Sequence, residues 1–211
     1  MKHGSLSVGR ILILIPLIGG AGCRSRSNWF PMKVGQHWTY EVRSGFDIRV
    51  ESIKVLRPLT VAGADGFELS GPLGVSRLAW RGDELWADRS ANVQFVPSLL
   101  LFRPSVDLSV DKSKKDDPIY QRYGAEVGQW EGKVIVMGHE RTASAKLYER
   151  QESVEIKARK VSAILATLKL TIDRHDVELK SWYQQGVGLV QQEQRTGVTR
   201  VVRLELKSHG D

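Results

Sequence analysis

The feature that most constrains this chain is an alternation of apolar and polar residues with a period of two, which is the period of β-strands. Two amino-terminal runs carry this alternation: Trp38, Tyr40 and Val42 in the first, and Phe46, Ile48 and Val50 in the second. Each run predicts a strand with one apolar face and one wet face. After Glu51 the apolar set moves to Ile53 and Val55, which predicts a β-bulge at this point and a bent strand.

The same alternation continues to the carboxyl end and predicts two hairpins. The first joins residues 164–172 to residues 177–183 through a turn at 173–176, and the second joins residues 187–190 to residues 202–206 through a turn at 195–197. Arg81-Gly82-Asp83 lies between two further apolar runs, and Gly with Asp is typical of a hairpin turn. We therefore interpret this tripeptide as a turn and not as an adhesion motif.

These patterns predict a mainly β fold, built as one meandering antiparallel sheet that curves into a half-barrel or open barrel around an apolar interior. At most one or two short helices are expected. Residues 97–102 could hold one of them, and residues 141–151 fit either a helix or a strand. A length of 211 residues with 41% hydrophobic residues suits a single domain. We expect this β-rich domain to cover residues 29–211.

The amino terminus has the features of a secretion signal. Its basic residues are Lys2, His3 and Arg10. The apolar run at residues 11–18 is too short to span a bilayer as a helix, but it has the length of a signal-peptide core. The small residues 19–22 then lead to Cys23 and fit the cleft of a signal peptidase. We predict that residues 1–22 are a signal peptide, cleaved between Gly22 and Cys23.

Cys23 is the only cysteine, so the chain cannot form an intramolecular disulfide even in an oxidising compartment. Ala21, Gly22 and Cys23 resemble the lipobox of bacterial lipoproteins, with Gly20 where Leu is usual. The resemblance implies that Cys23 carries a diacylglycerol and an amide-linked acyl chain, and more than one chain gives durable anchoring. Residues 23–28 are then the lipidated cysteine and a polar tether.

Two further segments resemble a family of uncharacterised bacterial lipoproteins. Residues 30–40, FPMKVGQHWTY, look like the family opening FPLxxGxxWxY, and residues 182–193, WYQQGVGLVQQE, look like its closing WYAPGVGLVKxE. Gln185 stands where the family usually has Pro. The family is similar in outline to lipoprotein-carrier folds, so the resemblance implies a curved antiparallel sheet that holds lipid chains. It implies no established activity.

The glycines of these motifs have a structural interpretation. Gly35 allows a tight turn into the first strand, while Gly186 and Gly188 flank Val187 where a turn must feed the next strand. A phosphate-binding loop would need a helix after it, and the sequence predicts none there. We therefore assign these glycines to chain geometry.

No pattern of catalytic or metal-binding residues is found. His139-Glu140 and His175-Asp176 each place an imidazole beside a carboxylate, but adjacent strand residues point to opposite faces and cannot share one metal ion. The Ser-x-x-Lys at residues 109–112 lies in a charged loop without supporting motifs. We predict no catalytic residue, no metal site and no cofactor, and hence no enzyme.

The formal net charge is +7, but Lys and Arg are spread along the chain instead of forming a basic patch. This distribution argues against nucleic acid as a partner. The expected partner is a membrane, bound through the lipid anchor, so the protein should lie in the cell envelope facing the periplasm or the exterior. By enteric sorting rules, Arg24 after the cysteine favours the outer membrane in a Gram-negative cell.

Two functions fit these features. The first is binding of a hydrophobic ligand or lipid inside the curved sheet, which requires an internal cavity. The second is a structural or interaction module of a cell-envelope assembly, which docks another envelope protein through an exposed sheet edge or aromatic patch. The six tryptophans could serve either function or simply fill the core.

Overall fold

The computed structural model describes residues 26–104, 114 and 116–210. These residues form twelve antiparallel strands in one closed barrel, in which each strand pairs with its neighbours in sequence. The strands are β1 (His37–Ser44), β2 (Asp47–Val61), β3 (Ala64–Gly71), β4 (Gly74–Arg81), β5 (Glu84–Ser90), β6 (Val93–Phe102), β7 (Ala125–Val136), β8 (His139–Ile156), β9 (Arg159–Ile172), β10 (His175–Gln184), β11 (Gly188–Thr196) and β12 (Thr199–Gly210). A 3-10 turn (Arg26–Trp29) precedes β1, and helix α1 (Pro118–Tyr123) precedes β7.

The sheet is mainly β and antiparallel as expected, but it is a closed barrel and not a half-barrel or open barrel. Closure comes from the pairing of the first strand with the last, which runs from His37 opposite Gly210 to Arg43 opposite Arg203. This pairing satisfies backbone groups that an open sheet would leave at two free edges. Alternation in the sequence shows which residues share a face of a strand but not which strands pair with each other, so it could not predict the closure.

The meander gives the barrel two distinct ends. We call the end where the chain enters β1 the base. The base also holds the turns at 62–63, 82–83, 157–158 and 185–187 and the end of β12. We call rim the opposite end, which holds the turns at 45–46, 72–73, 91–92, 137–138, 173–174 and 197–198. The Arg81-Gly82-Asp83 segment is a turn at the base, and the two predicted carboxyl-terminal hairpins are both present.

The first predicted strand packs as expected, because Trp38, Tyr40 and Val42 are almost fully buried in the barrel. The bulge predicted after Glu51 was wrong. β2 pairs with β1 in unbroken register from Asp47 to Lys54, and its register shift lies between Val55 and Arg57. The apolar residues of β2 change from even to odd positions because those in its first part face outward and those in its next part face the barrel interior.

The helix assignments also needed correction. Residues 97–102 belong to β6 and residues 141–151 to β8, where pairing with neighbouring strands decides between two conformations that the local sequence allows. The helix α1 follows the charged stretch and begins at Pro118. The Asp117 side chain caps it by accepting a hydrogen bond from the Ile119 backbone N–H at 2.8 Å.

The β8–β9 hairpin is longer than the barrel wall, and its tip folds over the outer surface of β10–β12. Lys157 in its turn donates a hydrogen bond from Nζ to the carbonyl oxygen of Lys207, which lies three strands away. Leu165 lies opposite Trp182 on the outer face, and both side chains are buried. The folded tip therefore covers an apolar strip outside the barrel.

The seam between β6 and β7 is short and depends on glycine. These strands pair only from Gln94 to Val96, after which β6 diverges. Trp130 on β7 spans the divergence by donating a hydrogen bond from its indole nitrogen to the Pro97 carbonyl at 3.0 Å. A Cβ on Gly132 would lie 2.4 Å from the Val96 carbonyl oxygen and 2.7 Å from Trp130 Cζ2.

Gly132→Ala should therefore lower the free energy of unfolding by about 2 kcal/mol, because backbone atoms block the added methyl group. Gly128→Ala on the same strand is the matched control. Its Cβ would meet the end of the Leu100 side chain at 3.1 Å and Leu147 Cβ at an ordinary 3.8 Å, with no backbone atom in the way, so the cost should be under about 1 kcal/mol. Equal losses for the two variants in urea denaturation would contradict this description of the seam.

Candidate functional site

An aromatic plug closes the base of the barrel. Phe30, which directly follows the 3-10 turn, is buried and lies against Trp38 with ring centroids 4.7 Å apart and against Tyr183 at 6.1 Å. Trp80 donates a hydrogen bond from its indole nitrogen to the Phe30 carbonyl at 3.1 Å. Phe102 stacks on Tyr183 at 4.2 Å. The amino-terminal segment thus completes the core at this end.

The two motifs that resemble the lipoprotein family meet at this plug. The Trp38 indole nitrogen donates a hydrogen bond to the Val187 carbonyl, and the Tyr40 hydroxyl donates one to the Leu189 carbonyl, each at 2.7 Å. The Gly186 backbone N–H donates to the Asn28 carbonyl, also at 2.7 Å. The opening motif is therefore held by the turn of the closing motif, although about 150 residues separate them in the chain.

Gly22 and Cys23, the predicted cleavage and lipidation residues, lie outside the described residues. The prediction of a lipidated cysteine therefore stays a prediction. What the structure adds is the position of the chain just after it. Asn28 lies at the base, so any anchor on Cys23 would hold the barrel by this end.

Many large side chains are buried in the barrel, among them Trp38, Phe102 and Leu204. A cavity of about 70 Å³ lies between the plug and the β3–β4 turn. Its lining includes Phe30, Leu69, Leu78, Tyr183, Leu189 and Leu204. This volume is about half of the roughly 150 Å³ that holds one benzene molecule in an engineered apolar cavity. A lipid chain would not fit without movement of the wall.

Two buried polar side chains of the interior, Tyr40 and Glu149, bond to backbone groups. Burial raises the pKa of both the Tyr40 and Tyr183 hydroxyls above the ordinary value for tyrosine. Glu149 is fully buried and accepts a hydrogen bond from the Arg103 backbone N–H at 2.6 Å. We find no arrangement of these groups around a space that could hold a substrate.

An apolar surface lies at the rim, where we define the rim patch as Phe46, Ile48, Val50, Val198 and Val201. The exposed fractions are 107%, 60%, 66%, 98% and 38%, respectively. Ile48 lies opposite Arg43 and Val50 opposite Glu41, which places both on the outer face. The Ser44 hydroxyl donates a hydrogen bond to the Val201 carbonyl at 3.3 Å and brings β12 alongside. Phe46, Ile48 and Val50 thus form an exposed apolar face of the β1–β2 hairpin, and Val198 and Val201 are exposed at the same end of the barrel, beyond β1.

Ion pairs border the rim patch on the outer face of β1 and β12. Glu41 accepts hydrogen bonds from Lys207 at 2.7 Å and from Arg43 at 2.6 Å. These two bonds, the one from Lys207 being the stronger influence, hold the pKa of the Glu41 carboxyl below its ordinary value. The patch is therefore an apolar area with a charged border, as protein-binding surfaces often are.

The rim patch adjoins a free strand edge. Residues 47–53 of β2 pair with β1 on one side, while pairing with β3 begins only at Lys54. Within the described chain, no strand pairs with the other side of residues 47–53. An exposed edge of this length can accept a strand from another chain.

A groove of about 650 Å³ runs between α1 and the outer face of β8–β10. In its wall the Tyr123 ring lies 5.4 Å from the Tyr148 ring and 4.6 Å from Lys169 Nζ. Both charge signs line the groove, and Lys146 pairs with Glu126 at 3.6 Å. Four cations line the groove, Arg122, Lys146, Lys169 and Arg195, together with two carboxylates, Asp176 and Glu178.

The histidine pairs considered in the sequence lie apart. His139 and His175 begin β8 and β10, are exposed, and face solvent beside their turns. Across residues 26–104, 114 and 116–210, no cluster of three His, Cys, Asp or Glu residues could hold a metal ion. Residues 109–112 lie outside the described residues. None of the helices described is long and apolar enough to cross a membrane.

Sequence reasoning missed the rim patch. The alternation of Phe46, Ile48 and Val50 correctly indicated a strand with an apolar face, although Phe46 itself lies in the turn before the strand. No signal in the sequence showed that this face is exposed to water. The tryptophans do not contribute to this surface, since all six are buried or packed against the core. The exposed apolar surface is instead made mainly of Phe, Ile and Val.

No protein-family model matches this chain, and no curated protein matches it in sequence. Solved structures with a similar fold include two that cover most of this chain. A protein of Parabacteroides distasonis described as a lipoprotein gives a TM-score of 0.53 at 13% identity, and an exported protein of Bacteroides fragilis with a YmcC-like fold gives 0.52 at 11%. Each likeness covers 86% of this chain and 98% of the other.

At these identities the likeness shows the fold alone. The resemblance of the two sequence motifs to the lipoprotein family, and of the fold to lipoprotein carriers, stays an expectation from the sequence.

The plug makes a prediction at Gly188, where φ is +107° and a Cβ would lie 2.8 Å from Phe30 and 3.0 Å from Trp38. Gly188→Ala should lower the free energy of unfolding by about 3 kcal/mol through strain and clash together. Gly186→Ala is the control, because φ is +80° but nothing lies within 4 Å. It should cost about 1 kcal/mol from strain alone. If chemical denaturation gave equal losses in the free energy of unfolding for the two variants, this result would argue against a tightly packed plug.

Proposed function

We propose that this chain is a non-enzymatic lipoprotein of the cell envelope, anchored through Cys23 at the base of its barrel, that docks another envelope protein through the rim patch. The observation that carries the proposal is the exposed apolar face of the β1–β2 hairpin beside a free strand edge. The base and the rim then have separate roles. The base serves attachment, and the rim serves recognition.

The envelope assignment is supported from two directions. The amino-terminal residues have the charge, apolar length and small residues of a lipoprotein signal. The two structural neighbours with TM-scores above 0.5 are described as a lipoprotein and an exported protein. In a Gram-negative cell, Arg24 favours the outer membrane. The barrel would then be held at the membrane surface, facing the periplasm or the exterior.

The docking mode follows from the edge geometry. An extended segment of the partner would add as a strand beside residues 47–53, with main-chain hydrogen bonds along the edge. Its alternate apolar side chains would pack on Ile48 and Val50 and remove them from water. Phe46, in the turn before β2, extends the apolar surface at the end of this edge. Burial of exposed apolar side chains supplies most of the binding free energy in such contacts.

The non-enzymatic part of the proposal is supported by how the polar groups are used. The buried carboxylate of Glu149 and the hydroxyl of Tyr40 bond to backbone groups. The exposed histidines do not converge with carboxylates around a cavity. Catalysis requires at least a positioned acid, base or nucleophile within reach of one reacting atom.

The docking proposal is tested by placing a photo-crosslinking amino acid at Ile48 in cells of the native host. We expect a discrete crosslink to one envelope protein, and Val50→Lys should abolish it by placing a charge in the buried contact. Met137 is the matched control position, because it is 95% exposed on a rim turn outside the patch. It should give no crosslink to that protein.

Three outcomes would count against this partner. Absence of any crosslink at Ile48 would remove the docking role. Equal capture at Ile48 and Met137 would indicate unspecific contact. A crosslinked species with twice the mass of the chain would show that the patch binds a second copy and not another protein.

Binding of a hydrophobic ligand inside the barrel is the second candidate, favoured by the apolar lining of the internal cavity. Native mass spectrometry before and after organic extraction separates the candidates. A discrete adduct that solvent removes would support the ligand-binding function. The docking proposal expects a clean mass without ligand, because about 70 Å³ leaves room for only a few atoms.

A further inference from the structure

The tip of the β8–β9 hairpin is a basic projection at the base. Lys157, Arg159 and Lys160 are all exposed there, and Glu155 is the only carboxylate among residues 155–160. No ion pair joins these three cations to a carboxylate within the described residues. Lys157 donates to the Lys207 carbonyl, while Arg159 and Lys160 are exposed to solvent or to an external partner.

The tip lies at the same end as the amino-terminal segment. Lys157 bonds to the Lys207 carbonyl near the end of β12, and the following residue, Ser208, lies opposite Thr39 at the start of β1. Asn28 is fixed at this end by the Gly186 backbone. The exposed Lys33 adds a further positive charge on the segment that enters β1.

The chain between the anchor and the barrel is short. Five peptide steps separate Cys23 from Asn28, and an extended chain spans about 3.5 Å for each, or about 18 Å in all. A barrel tethered this closely by its base must hold the base near the lipid headgroups. Anionic headgroups attract Lys and Arg within about one Debye length of the surface, roughly 8–10 Å.

We propose that the basic tip, Lys157, Arg159 and Lys160, binds anionic phospholipid headgroups and holds the barrel upright, with its rim directed away from the membrane. This inference rests on the proposed anchoring through Cys23. It adds a second contact with the membrane, one that depends on lipid charge and on salt. It also gives the folded-over hairpin a role beyond covering the outer apolar strip.

The test uses the full chain, purified from membranes and reconstituted in vesicles of phosphatidylcholine, with or without phosphatidylglycerol. Ala158→Cys places a fluorescent label at the tip, and Val198→Cys places one at the rim. Energy transfer to a headgroup acceptor reports their distance from the surface. We expect transfer from position 158 to rise when phosphatidylglycerol is added, while transfer from position 198 stays low.

Charge variants show whether the tip causes the rise. Lys157→Glu, Arg159→Glu and Lys160→Glu together should abolish it. The same three-charge reversal at the rim, Lys133→Glu, Arg141→Glu and Arg174→Glu, should leave it intact. Arg159→Gln with Lys160→Gln keeps the Lys157 contact with β12, and should reduce the rise without unfolding the hairpin. In the unaltered chain, high salt should remove the rise in energy transfer from position 158.

Failure of the anchor and failure of the tip give different results. A chain that does not float with phosphatidylcholine vesicles lacks the proposed anchor. If such a chain still binds phosphatidylglycerol vesicles about tenfold more tightly than the tip reversal does, the tip inference is supported on its own. Transfer from position 158 that does not change with lipid charge, or equal transfer from positions 158 and 198, overturns the inference.

Discussion

The structure depends on the packing of the amino-terminal aromatic segment against the β10–β11 turn. Phe30 fills the base of the barrel, and the Trp38 and Tyr40 side chains donate hydrogen bonds to carbonyl groups of the closing motif. Gly188 is needed because any side chain there would occupy the space of Phe30. These contacts place β1 where it can pair with β12, so the local packing and the closure of the barrel support each other.

Because the aromatic plug closes the base, the two ends of the barrel differ. The chain leaves the predicted anchor, enters the plug within a few residues, and continues into strands whose rim turns lie at the far end. The apolar rim patch and the basic tip lie at opposite ends, so the proposed contacts with a protein and with a membrane would not overlap.

The sequence predicted what local patterns determine. Alternation indicated the strands around Trp38 and the hairpin at residues 173–176, and the glycines of the closing motif indicated the turn at Gly186. It did not predict that β1 and β12 pair, because pairing across the whole chain leaves no local pattern. It also could not show that Ile48 faces water, since alternation separates two faces without indicating which is covered.

The central claim is that the edge of β2 at residues 47–53 is a docking site that is vacant in the isolated chain. The amide hydrogen-exchange rates of this segment test the claim directly, when they are measured first in the purified chain and then in native membranes. The account predicts fast exchange of the outward-pointing amides in the purified chain and strong protection in membranes, with little change at the β7–β8 turn. Equal exchange rates at residues 47–53 in both states would contradict it.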